Sequence, residues 1–382
     1  MAATVERVLG GVLMLLVLAD VFLTVLYARM GTGLLSRQVA RGTWKLFRAV
    51  SPRSSRGRGA VLSFCGPAIV VVLVLLWALG LAAGAALVIH PALGSGVRAG
   101  SGQTPTDFVS ALLAGGSSLS IVGAGDFSPH TTGYRLFYLV NSLVGASVLS
   151  LTLTYLMQVY TALRSRNTLG LKLHLQSGET ADAAELLAGL GPEGQFDGGH
   201  NLLSEMAAEM SSTKEGHHFY PVLFYFRFRE PFYSVSRFTL VALDTVSLLK
   251  AALNDDEHGW LKESASVELL WRASMVLVTS LEDTFHRGGA AETSHPDAAT
   301  RARWDRRYAA AVRRLHQAGI KTREDASAGA GIYAALRACW DPHIARLAPT
   351  MGYEMADIDP AGTHPEASDA RPAFRERRHA PA

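Results

Sequence analysis

Residues 59–97 form a run of 39 positions without an Asp, Glu, Lys or Arg. Helices of soluble proteins average about 11–12 residues, so a run of this length has no place in a soluble core. A helix needs about 20 mostly apolar residues to cross a bilayer. The span expected here covers residues 62–89 and stops at His90-Pro91. Two further runs have the same character. Residues 8–28 lie between Arg7 and Arg29 and hold one acid, Asp20, while residues 136–163 hold no charge. The first run is too long for the apolar part of a signal peptide, about 7–15 residues, and Tyr27-Ala28-Arg29 is a poor cleavage site.

Charge divides the chain where the third run ends. Residues 1–163 carry 11 Lys or Arg and four acids, whereas residues 164–382 carry 25 and 29. The overall +3 is therefore the difference between a membrane half at +7 and a second half at −4. Eight of the bases lie between the first two runs, with no acid among them. Loops rich in Lys and Arg stay in the cytoplasm. The expected orientation in a plasma membrane thus has the N-terminus outside and the basic loop inside. The segment between the second and third spans lies outside, and the C-terminal half is cytoplasmic. In the basic loop Arg37, Arg41, Lys45 and Arg48 recur at spacings of four, four and three, on one helical face. Such a face either rests on the anionic inner leaflet or only sets topology. Asp20 is an intramembrane carboxyl, which is a functional candidate; the alternative is a carboxyl that hydrogen-bonds to a neighbouring helix or is protonated.

Between the second and third spans, residues 106–115 read as a short apolar helix with Thr106 or Asp107 near its start. It is too short to cross a bilayer. It runs into Ile121-Val122-Gly123-Ala124-Gly125 and then Asp126. Glycines admit the positive φ that points successive carbonyls one way, and a file of carbonyls replaces an ion's hydration shell. The negative C-terminal end of the short helix adds to this. Non-helical backbone at membrane depth persists where it lines water or is buried in protein, so the segment reads as re-entrant.

Residues 62–163 resemble the pore domain of potassium channels, whose order is outer helix, pore helix, a filter close to T-V-G-Y-G-D, and inner helix. The resemblance places Ile121, Val122, Gly123, Ala124 and Gly125 on the ion filter, flanked by Ser120 and Asp126. Phe127-Ser128-Pro129 is similar to the family's residues after the filter. It also implies a gating hinge at Gly145, 20 residues past Gly125, a permeant K+, and a homotetramer, since each chain supplies one quarter of a filter. Two positions depart from the family. Its filter threonine lends a hydroxyl to the innermost ion site, which Ile121 lacks. Its aromatic residue braces the filter's width, and Ala124 has no ring. Three states stay open: potassium-selective through other bracing, weakly selective with Na+ also permeant, or non-conducting at rest.

The second half reads as helical through residue 354. Helices are expected at residues 181–190, 201–210, 234–253, 260–286, 301–318 and 332–347, with a turn at 254–259 and a disordered tail over 355–382. Nine aromatics fall within residues 217–240; they form either a packed core or interface or a stacking surface. Asp255-Asp256-Glu257-His258 and the Glu282/His286 pair have metal-ligand residue types, but a solvated turn and an ordinary i,i+4 pair account for them. The arginines at 301–314 suit an anionic leaflet, an acidic partner helix or nucleic acid, and the net −4 argues against nucleic acid. No nucleotide-binding glycine motif or calcium loop occurs. Cys65 and Cys339 are too few for a disulfide framework or a multi-Cys zinc site.

The expectation is an all-α membrane protein. It has a peripheral helix (1–30), a basic loop (31–59), a pore domain (60–163), a cytoplasmic helical domain (164–354) and a tail (355–382). It is expected to be a passive cation channel and no enzyme, with no cofactor and a regulatory ligand the sequence does not name. The alternative is a signalling or effector protein on a non-conducting pore-like scaffold.

Overall fold

The computed structural model describes residues 1–27, 33–52, 55–120, 126–286 and 296–360. These are helical nearly throughout, with one two-stranded sheet. They separate into two compact units, one of residues 1–51, 64–161 and 218–226, the other of 52–63, 162–217 and 227 onward.

The first unit opens with α1 (Ala2–Val21), which continues through a π turn (Phe22–Leu26), and α2 (Ser36–Val50). After α3 (Ser55–Leu62), which belongs to the second unit, come α4 (Cys65–Ile89), β1 (Val97–Ala99), α5 (Phe108–Leu119), β2 (Phe127–Pro129) and α6 (Thr132–Gln176), whose residues from 162 on belong to the second unit. Three helical stretches, Ala2–Leu26, Gly57–Ala92 and Thr132–Gln176, are long and apolar enough to cross a membrane. Helix α1 runs antiparallel to α4: Glu6 meets His90 at 2.6 Å, and fourteen residues further along α1 Asp20 meets Trp77 at 2.9 Å. Between those contacts Gly80 and Gly84 of α4 form a small-xxx-small step. A Cβ on Gly84 would lie 2.5 Å from the Met14 side chain, and one on Gly80 2.8 Å from Val17. Small residues let membrane helices approach to backbone distance, where dispersion replaces the missing hydrophobic drive. Met14, Val17, Val21, Trp77, Leu81 and Ala85 are buried together along this seam.

In the second unit, α7 (Ala183–Leu190), α8 (Asp197–Phe219), α9 (Val235–Ala252) and α10 (Asp255–Lys262) are followed by α11 (Ala265–Phe285), α12 (Ala298–Gln317), α13 (Ala326–Thr350) and α14 (Met355–Ile358). Helix α9 is buried on nearly every side, with α7, α11, α12 and α13 packed on it. It is the central helix of the unit, although it buries Ser236, Thr239, Asp244, Thr245 and Ser247 together with its apolar residues. A charge cluster sits inside this core. Asp244 of α9 accepts from the Tyr333 hydroxyl at 2.6 Å and from Arg337 at 3.2 Å, and pairs with Arg307 at 2.8 Å. Arg337 also donates to Asp341 at 3.1 Å and Asp359 at 2.9 Å.

Several expectations are corrected. The third helix does not end near residue 163; α6 continues to Gln176, because Arg164 and Arg166 end an apolar run without breaking a helix. Residues 254–259 are no turn: Asn254 accepts from the Asp256 and Glu257 amides and starts α10. The next helix then begins at Ala265 behind a Ser264 cap. Helix α13 is longer than expected and carries Pro342 inside it. The tail is ordered at its start, through α14 and Asp359, while residues 361–382 lie outside the described residues. Part of the aromatic block is core: Phe224, Tyr225, Phe226 and Phe238 are buried, with Tyr225 packed on Trp44 in the first unit, while Phe232 is half-buried against His174 in the second and Phe219 is exposed. The arginine cluster finds acids within its own unit, with Arg307 on Asp244 and Arg314 on Glu185 at 2.7 Å.

Candidate pore segment and intramembrane acid

Helix α5 has 12 residues, about 18 Å at 1.5 Å per residue, far short of the hydrocarbon core. Its start is built by Asp107, whose carboxylate accepts the Ser110 amide at 3.0 Å and the Ser110 hydroxyl at 2.8 Å. An Asp cap satisfies amides that the first turn leaves free. The helix lies directly on two backbones. A Cβ at Gly115 would stand 2.7 Å from the Ala86 amide of α4. At Gly145 of α6 an added Cβ would collide with the Leu119 carbonyl. Between those points Asn141 of α6 donates to the Ser118 hydroxyl at 2.9 Å, and Ser118 donates to the Gly115 carbonyl at 2.7 Å.

The chain leaves α5 at Ser120, which is extended. Ile121, Val122, Gly123, Ala124 and Gly125, the expected filter, lie outside the described residues. The chain is described again at Asp126, which is exposed and whose carbonyl accepts the Gly100 amide at 2.9 Å. From there β2 pairs antiparallel with β1, Ala99 opposite Phe127 and Val97 opposite Pro129. The two ends of the excursion from residue 100 to residue 126 are therefore tied together. Gly145 lies within an unbroken α6, and its missing side chain admits the end of α5.

Asp20 is fully buried in α1. Its carboxyl oxygens accept from the Leu35 amide at 2.7 Å, the Ser36 amide at 3.2 Å, the Trp77 indole N–H at 2.9 Å and the Ser36 hydroxyl. One side chain thus caps the start of α2 and ties α1 to α4. The structure thus gives Asp20 hydrogen bonds to both neighbouring helices. The sequence held an unused signal for this contact. Trp77 carries an indole N–H in the middle of a run without charge, and a buried indole N–H takes a partner.

Other candidates resolve differently. Glu282 pairs with His343 and with Arg346 at 3.1 Å. Asp255 and Glu257 form ion pairs with Lys262 and Lys321. Among the described residues no group of three or more His, Cys, Asp or Glu is placed to hold a metal. The sequence reading missed His217, fully buried in α8, where burial and then the neighbouring Arg166 push its pKa down to about 3. No family model matches the chain, and neither a curated protein nor a solved structure matches it.

Proposed function

We propose that the protein is a passive cation channel, a homotetramer of the plasma membrane conducting K+ through the backbone carbonyls of Ile121–Gly125. One observation carries this reading: a capped helix too short to span, seated on the backbones of two apolar helices, followed at once by V-G-A-G-D, with its entry and exit strands paired. A segment that enters and leaves at the same end, between two spans, is a re-entrant loop. Burying it in protein satisfies the demand that non-helical backbone avoid lipid. Its orientation follows the basic loop, with the N-terminus and the β1–β2 pair outside and the second unit in the cytoplasm.

Helix α6 supports the tetramer. In the chain alone 11% of its most apolar stretch is buried, against 28% for Ala2–Leu26 and 39% for Gly57–Ala92. Four inner helices around an axis would cover part of that surface. The contact of Gly145 with Leu119 gives a route for gating. A movement of α6 at that point displaces the residue just ahead of Ser120 and the filter. Ile121 and Ala124 remove one hydroxyl and one brace, so the pore passes some Na+ beside K+.

Purified protein in liposomes, loaded with a potassium gradient and read with a flux dye, tests this. Cation flux is expected from the parent, and its loss from Gly123→Val and Gly125→Val. Vesicles silent under every condition would favour the non-conducting scaffold, and fluxes the two variants leave unchanged would show that ions do not cross through residues 121–125.

A further inference from the structure

Helix α2 has three faces. One is buried, with Ser36, Ala40 and Trp44 set one turn apart. The second holds the cations Arg37, Lys45 and Arg48, all exposed, and Arg41, which is turned to the Tyr225 hydroxyl. The third is apolar and uncovered: Leu35 is 37%, Leu46 61% and Val50 65% exposed. A cationic stripe alone suits water, an acidic protein or nucleic acid. An exposed apolar stripe on the same helix suits none of these, and it is the pattern of a helix at a lipid surface.

The start of α2 is also fixed relative to α1. The Leu35 and Ser36 amides bond to Asp20, six residues before the end of the Ala2–Leu26 stretch. At 1.5 Å per residue that is about 9 Å inside the end of a spanning helix. With Ala2–Leu26 across the bilayer, the first turn of α2 would lie near the interface, where the stem of Arg37 is long enough to carry its charge out to the phosphates. The loop side of the bilayer is the cytoplasmic one, whose leaflet carries anionic lipid.

We propose that α2 is a binding surface for anionic phospholipid headgroups of the inner leaflet. In it Arg37, Lys45 and Arg48 meet the phosphates, and Asp20 acts as the positioning residue that fastens the surface to α1 and α4. The inference rests on the orientation given above and is independent of conduction. Its partner is the lipid phosphate. A second copy of the chain, having the same cations on that face, would meet them with like charge.

The test uses the full-length protein in mixed micelles with dansyl-labelled phosphatidylglycerol or dansyl-labelled phosphatidylcholine, read by energy transfer from tryptophan. The parent is expected to prefer phosphatidylglycerol. Each of Arg37→Gln, Lys45→Gln and Arg48→Gln should lower that preference by about fivefold. Asp20→Asn, which leaves every cation in place, should lower it as well by releasing the helix. Equal transfer from both lipids, or a preference that survives the triple Gln variant, would overturn the proposal even if Asp20→Asn failed to fold. A further arm places a cysteine at Gln38 in a Cys339→Ser background. An impermeant maleimide should label it only in permeabilised cells, and labelling in intact cells would overturn the inner-leaflet assignment. Vesicles that are silent for cations yet keep the lipid preference would sustain this proposal and contradict the channel.

Discussion

Asp20 shows how much one polar side chain can fix in an apolar setting. It answers donors from two backbone amides, one hydroxyl and one indole. Its loss leaves buried donors unpaired, each costing about 1–3 kcal/mol. Asp20→Ala should therefore lower thermal stability in detergent by about 3 kcal/mol or more, and Asp20→Asn, which keeps one accepting oxygen, by less. His217 behaves in the opposite sense, as a polar group held without charge. Its folded pKa lies at about 3 against 6.5 for the free side chain. Below pH 6.5 the unfolded chain binds the proton first, so stability falls as the pH falls. At pH 5 the loss is about 2 kcal/mol. Unfolding temperatures of the parent and His217→Gln at pH 7.5 and pH 5 should show a smaller acid loss in the variant. An identical loss in both would remove His217 from the account.

At the scale of elements, packing here depends on absent side chains. Gly84, Gly80, Gly115 and Gly145 sit where a Cβ would strike a neighbour. Gly145→Ala is expected to cost about 1–3 kcal/mol by overpacking, read as a lower unfolding temperature of the protein in detergent, and Gly84→Val should loosen α1 from α4. The three long apolar helices and the short one were legible because apolar runs and an Asp ahead of one are local signals. The structure moved α5 by two residues at its start, from Thr106 to Phe108, and put the cap on Asp107. The end of α6 was not legible, since charge marks the end of lipid and not the end of a helix. Strands β1 and β2, three residues each, are too short to show a period of two.

At the scale of the whole chain, the second unit keeps ionised groups in its core. Asp359 lies in a segment that composition alone marks as tail, and its arginine partners are 52 and 22 residues away in sequence. Pairings of that range leave no local trace, so that part of the fold was unreadable. Removing one member strands the others: Arg337→Met should cost about 3–5 kcal/mol, measured by chemical unfolding of the full-length protein. The candidate pore was readable as a motif and a frame. Its contacts with Ala86, Asn141 and Gly145 appear only once the helices are in place. The proposed channel carries ions across the membrane through the segment after α5. Bilayer recording of the purified protein, under a tenfold potassium gradient balanced by an opposed sodium gradient, tests it most directly. A strictly potassium-selective pore reverses about 59 mV from zero. A channel of this kind gives a current that reverses on the potassium side of zero and vanishes in Gly123→Val and Gly125→Val. No current under any condition, or a current those substitutions leave untouched, would contradict it.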